Sequence, residues 1–275
     1  MWSESLLVIL SFFLQAVGGS LGVRLIHVQT GGRWIQSLEP SLGKMAKGAL
    51  PLALLLVLWM GFFAVPSKEL LHLHPVYFSL GFRLLRGLLE GGFLLFAVRM
   101  ASSETAGLWL KGLALAGVFL SLVAFANDTY MALDPSWQSS IFGPLFAVGS
   151  VLTALGICVL ATRGVAFSDE ERRRDVAHLI LVFLLFWIYF GFSQYLIIWS
   201  AQIPAEEAWY QRVSQGAWGI FSVLLILVQF FIPFLLLLFR RVNGRPKGLI
   251  AVALLILLGR LMEMIFWLAA GGVFS

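Results

Sequence analysis

The sequence predicts an all-α, polytopic membrane bundle of about eight spanning helices, and three observations predict it. Hydrophobic residues make up 60% of the 275-residue chain and charged residues only 12%, about half the ~25% charge content of ordinary globular domains. The apolar residues fall into runs long enough to cross a bilayer core, which takes about 20 residues of helix. Lys and Arg gather in every second connector between those runs, as the positive-inside rule requires.

The runs cover about 4–26, 48–66, 76–99, 107–130, 138–162, 176–201, 213–239 and 248–272. The first lacks the basic leader of a signal peptide and exceeds the length of its apolar core, so it reads as a true helix. The connectors are short, and 1–275 reads as a single transmembrane domain. Four connectors carry Arg33, Lys44 and Lys47; Arg99 and Lys111; Arg163, Arg172, Arg173 and Arg174; and Arg240, Arg241, Arg245 and Lys247. The opposite connectors carry only Lys68 and Arg212. This alternation places both termini on the outer side and favours an even number of spans. The net charge of +5 belongs to these loops and reports orientation, so no nucleic-acid partner is expected. Ser168-Asp169-Glu170-Glu171 matches a capping box, which starts the sixth helix inside its loop. Pro51, Pro144 and Pro233 lie within apolar runs, where membrane helices tolerate them.

The informative residues are the ionisable ones inside the spans, because each unpaired charge at mid-membrane costs roughly 3 kcal/mol. Arg83, Arg86 and Glu90 share one helix face at i, i+3, i+7, with Gly87 and Gly91 on or beside it to admit a close neighbour. Arg260 and Glu263 lie one turn apart near the middle of the last helix, and Asp128 closes the fourth. Three arginines against three acids permit a neutral buried network. Such a network reads as a proton path or polar pocket, or as ion pairs that set helix register; Gln15, Gln194 and Gln229 read as interhelical glue. The lone Cys158 reads as a small buried apolar residue. His27, His178, His72 and His74 sit at the depth of headgroups rather than where paired haem ligands would face each other. No redox cofactor or metal site of the chain's own is therefore expected.

Three stretches carry a resemblance: Asp134-Pro135-Ser136-Trp137-Gln138-Ser139-Ser140-Ile141-Phe142-Gly143, Phe192-Ser193-Gln194-Tyr195 through Pro204, and Pro233-Phe234-Leu235-Leu236-Leu237 followed by Leu258-Gly259-Arg260. In this order, across about half the chain, they resemble the quinone-binding membrane subunits of bacterial alternative complex III, within the polysulfide-reductase (NrfD-like) family. Members of that family are longer, and they commonly have His where Ser136 stands. The resemblance implies a bacterial cytoplasmic-membrane subunit of a quinol-oxidising respiratory complex. Its implied site positions are Asp134, Trp137, Ser193, Gln194, Tyr195 and Arg260. Its implied ligand is a quinone such as menaquinone, with no covalently bound group. Its implied partners are a related quinone-binding membrane subunit, a periplasmic iron–sulfur subunit, c-type cytochrome subunits and a terminal oxidase. Within this reading Glu90, Asp128 and Glu263 relay protons while Arg83, Arg86 and Arg260 tune them. The alternative from another class is a stand-alone proton-coupled secondary transporter or channel.

Overall fold

A computed structural model describes residues 2–32, 34–64, 68–134, 137, 139–162 and 170–270; these are helical almost throughout, with no strand among them. In chain order they form α1 (Trp2–Thr30), α2 (Glu39–Ala46), α3 (Ala49–Leu58), α4 (Lys68–Leu73), α5 (Leu80–Ser102), α6 (Leu108–Thr129), α7 (Phe142–Ala161), α8 (Glu170–Ala201), α9 (Pro204–Ser214), α10 (Gly216–Ile226), α11 (Ile232–Leu238), α12 (Arg240–Asn243) and α13 (Pro246–Ala270). Seven segments among the described residues are long and apolar enough to cross a membrane: α1, α2–α3, α6, α7, α8, α10–α11 and α13. Large apolar side chains cover the outside, among them Leu54, Leu88, Trp109, Tyr189, Phe192, Ile220 and Phe239. A surface of this kind is stable only against lipid, and the chain is a multi-pass helical membrane protein.

Helix ends follow local chemistry. Ser79 caps α5 by accepting a hydrogen bond from the Phe82 amide, so the helix starts at Leu80 and not at 76. Proline opens α9 and α13, where its missing amide hydrogen costs nothing. Glu170 and Glu171 occupy the first turn of α8, complementing the helix dipole; this helix does begin ahead of its apolar run, while Ser168 and Asp169 lie outside the described residues. Pro51 and Pro144 sit in the first turns of α3 and α7 and break nothing. Pro233 is different. It follows a π-helical turn, Leu227–Phe231, that joins α10 to α11, where widened winding absorbs the hydrogen bond that proline cannot make. A second π-turn, Trp59–Phe63, extends α3.

The layering is concentric. In α1 and α7 72% of the apolar window is buried, against 28% in α8 and in α10–α11. The former pair is the axis of the bundle, making its most extensive helix contact, and the latter are rim helices. α5 packs against α3 through Gly87 and Gly91, where an added Cβ would press on Val57, Leu56 and Ala53, as their small size predicts. Cys158 is fully buried in α7. The connector after α8 departs from expectation: it is not a plain loop but holds the eleven-residue α9.

The axis contact makes a stability prediction. A Cβ at Gly19 would overlap the Ser150 carbonyl across the α1–α7 interface, whereas one at Gly22 meets nothing closer than 4.0 Å. Gly19→Val should destabilise the protein by about 1–3 kcal/mol through overpacking, and Gly22→Ala by much less. Thermal unfolding of the purified variants in one detergent checks the contrast.

Candidate functional site

A buried polar network is centred on Arg260, 1% exposed in the middle of α13. Its Nε and Nη2 donate to Gln15 Oε1 of α1 at 3.3 and 3.1 Å, and its Nη1 donates to Glu263 Oε2 one turn on. Gln15 Oε1 also accepts from Thr153 Oγ1 of α7 at 2.8 Å. Glu263 in turn accepts from Trp187 Nε1 of α8 at 3.1 Å and from Trp267 Nε1 at 3.4 Å. One guanidinium and one carboxylate thus link α1, α7, α8 and α13. The room for Arg260 comes from Gly149, where a Cβ would overlap the guanidinium.

Glu263 is also the buried wall of a cavity of about 420 Å³ between α8, α9, α10 and α13. The cavity is largely aromatic, faced by Trp187, Phe192, Tyr195, Trp209, Tyr210, and Trp267. Its side towards α8 and α10 is bordered by Phe192, Tyr195 and Ile226, which are themselves exposed on the apolar surface, so it opens onto lipid. A smaller, more polar cavity of about 250 Å³ shares Tyr195, Tyr210 and Ser214 with it and adds Glu207 and Gln211 of α9.

Behind the cavity three tryptophans stack. Trp137 lies 4.8 Å from Trp209 and 5.1 Å from Trp267, and those two are 5.3 Å apart, all near parallel. Trp137 is 2% and Trp209 1% exposed. This stack pins α9 against the bundle, as does the ion pair of Arg212 in α9 with Asp134, 3.2 Å apart. The chain enters α9 through Gln202 at φ 52° and leaves through Gly216 at φ 56°, so both tethers use the left-handed region that one non-glycine residue here accepts at a cost. Gln194 Nε2 donates to the Tyr210 hydroxyl at 3.1 Å, leaving the phenolic hydrogen free to donate into the cavity. Burial pushes the Tyr210 phenol up to about 12, so it remains a donor at neutral pH.

A second polar cluster lies between α5 and α6. Asp128 accepts from Arg86 Nε through Oδ2 and from the Tyr77 hydroxyl through Oδ1, both at 2.6 Å. The Arg86 guanidinium sits 3.8 Å above the Tyr77 ring, a cation–π contact. Arg83 donates to the Ala64 carbonyl. Glu90, one turn beyond Arg86, is 3% exposed and neither of its carboxylate oxygens has a hydrogen-bond partner.

The six ionisable candidates therefore do not form one neutral network. They divide into Arg260–Glu263 and Arg86–Asp128, with Arg83 and Glu90 outside both pairs; α5 and α13 each pack against α1 and do not pack closely on one another. Of the motif residues, Gln194 and Tyr195 line the aromatic cavity, Trp137 backs it and Asp134 anchors α9, while Ser193 is not among the lining residues. Gln15 and Gln194 do join helices through hydrogen bonds, as glue; Gln229 is fully buried with both amide atoms unpartnered.

The sequence reading missed Trp209, Tyr210, Trp187, Trp267 and Tyr77. Signals for some were present: Pro204 followed by two acids is a helix start, and Trp267 is four residues from Glu263 and hence on its face. Tyr77 lies before the helix it serves, where periodicity says nothing. No protein-family model matches this chain, and no curated protein matches it.

The buried pair yields a double-variant prediction. Arg260→Met should destabilise by about 3–5 kcal/mol, because Glu263 is left buried without its cation. Arg260→Met with Glu263→Gln should recover a large part of that loss, read as thermal midpoints of the purified proteins.

Proposed function

We propose that this chain is the integral membrane subunit of a quinol-oxidising respiratory complex of the alternative complex III kind, in a bacterial cytoplasmic membrane. The observation that carries the reading is the aromatic cavity: it opens onto lipid, it has room for a planar ring, and its polar groups are few. Cavities of this kind suit an apolar ligand oriented by a small number of hydrogen bonds. A quinone or menaquinone headgroup is such a ligand, lipid-borne and flat, with one oxygen at each end of its ring. In this reading Tyr210 donates to one oxygen, and Glu263, held by Arg260, Trp187 and Trp267, stands ready to accept from the hydroxyl form. The tryptophan stack holds α9 in place as one wall of the site and excludes water.

The same proposal assigns the topology. α5 is the eighth span: its 23 residues cover about 34 Å at 1.5 Å per residue, and its charged groups Arg83 and Glu90 point into protein. With eight spans both termini face outwards and the basic connectors face the cytoplasm. The partners are then a related quinone-binding membrane subunit, an iron–sulfur subunit and c-type cytochrome subunits on the outer face, and a terminal oxidase beyond them.

One observation favours the second reading, a stand-alone proton-coupled secondary transporter or channel. One helix, α10–α11, is interrupted at mid-span by the π-turn Leu227–Phe231, and interrupted helices are the usual substrate-binding elements of transporters. The two readings part on purification from the native membrane in mild detergent. The respiratory reading expects co-eluting iron–sulfur and cytochrome subunits and a reduced-minus-oxidised spectrum with haem c bands. A colourless protein that elutes alone would transfer the assignment to transport. Within the first outcome, Trp209→Ala should weaken quinone binding at least about tenfold, the equivalent of ~1.4 kcal/mol, measured by titrating the purified complex with a short-chain quinone.

A further inference from the structure

Beside the Arg86–Asp128 pair is a cavity of about 330 Å³ that contains His74, Tyr77, Phe78, Asn127 and Asp128 in its walls. It lies at the C-terminal end of α6 and shares no residue with the aromatic cavity. Asp128 is therefore reachable from that end, while Glu90, one helical turn further in, is sealed. Glu90 and Arg86 are four residues apart on α5, a spacing that brings their side chains together. In the structure Arg86 nevertheless turns away from Glu90 to Asp128, and its Nη2 is left buried without a partner. An ionised Glu90 with no donor would be very costly in the apolar interior, whereas a neutral one costs far less. Among the described residues no other charge competes for it. α3 and the π-turn that follows carry no titratable residue, Arg24 of α1 is paired with Glu39, and Arg83 is held by the Ala64 carbonyl. On α5 itself Arg86, four residues away, is nearer than Arg83 or Arg99, and it is the side chain that pairs with Asp128.

We infer that Glu90 and Asp128 are the two positions of a proton-exchange site in which Arg86 serves whichever carboxylate is ionised. In the state seen here Glu90 holds the proton and Arg86 pairs with the Asp128 carboxylate. In the other state the O–H bond at Glu90 is broken, the proton is bound to Asp128, and the guanidinium has swung one turn to pair with the Glu90 carboxylate. The proton and the guanidinium exchange places, so the number of charges in the apolar bundle does not change. Asp128, once protonated, stands in the wall of the cavity and can pass its proton to water there. Tyr77 biases the device towards the first state, because its hydroxyl donates a stronger, charge-assisted hydrogen bond to an ionised Asp128 than to a protonated one. The site makes no use of the aromatic cavity, and it stands or falls independently of a quinone role.

The test is infrared spectroscopy of the full chain in lipid. The wild type should show a protonated-carboxyl band that disappears in Glu90→Gln and shifts in heavy water. Asp128→Asn should also abolish it, because Arg86 then has only Glu90 to pair with and ionises it. Tyr77→Phe, a milder change to the fold, should retain a protonated-carboxyl band but move its position as the proton passes to Asp128. Ala132→Trp, which fills the cavity, should slow the heavy-water shift several-fold. A Glu90 band that survives unchanged in Asp128→Asn and Tyr77→Phe, or that never exchanges with heavy water, would overturn the inference and leave Glu90 as a fixed neutral residue. A band unaffected by Glu90→Gln would overturn it as well.

Discussion

A charge held in a low-dielectric interior must be neutralised on the spot, and Arg260 shows how much of this fold that constraint organises. Left alone at the centre of α13 it would cost several kcal/mol. It is instead met by Glu263 on its own helix, Gln15 on α1 and, through Gln15, Thr153 on α7. Glu263 is then fastened to α8 by the Trp187 indole. Helices that a lipid bilayer gives little hydrophobic reason to associate are thereby registered by one polar centre. Gly149 is part of the same arrangement, since any side chain there would displace the guanidinium.

The same centre leads outward to the cavity. Glu263 faces Arg260 on one side and the aromatic enclosure on the other, so a group needed for assembly is also the polar wall of a binding site. Trp267, four residues further, donates to that carboxylate and stacks on Trp209, while Trp209 holds α9 in place as one wall of the cavity. Between α5 and α6 the same physics has a different outcome. Arg86 satisfies Asp128 but leaves Glu90 without any donor, and the imbalance sits beside a cavity rather than at the axis. A neutralised pair confers register; an incompletely neutralised one stores an alternative pairing.

Much of the helical architecture was legible in the residues, because a bilayer imposes long apolar runs and concentrates basic residues in alternate connectors. The pairing of Arg260 with Glu263 could be read from their spacing, and so could the close approach allowed by Gly87 and Gly91. The grouping of six ionisable residues into one network could not be read correctly. Charge counting has no geometry, and α5 and α13 each pack against α1 without packing closely on one another. The aromatic wall was hidden for another reason: α9 is too short to register as a span, and Trp209 and Tyr210 matter through contacts with residues distant in sequence. The π-turn at Leu227–Phe231 was foreshadowed only by Pro233, which announces a lost hydrogen bond without saying how the helix absorbs it.

The central claim is that the cavity between α8, α9, α10 and α13 is the place where a lipid-borne quinone binds. Photolabelling of native membranes with an azido-quinone, followed by peptide mapping, tests it most directly. The account predicts label on the peptides that carry Phe192 to Tyr195 and Trp209 to Ser214, suppressed by excess unlabelled quinone. Label confined to α5 and α6, or spread over the lipid-facing surface and indifferent to competitor, would contradict it.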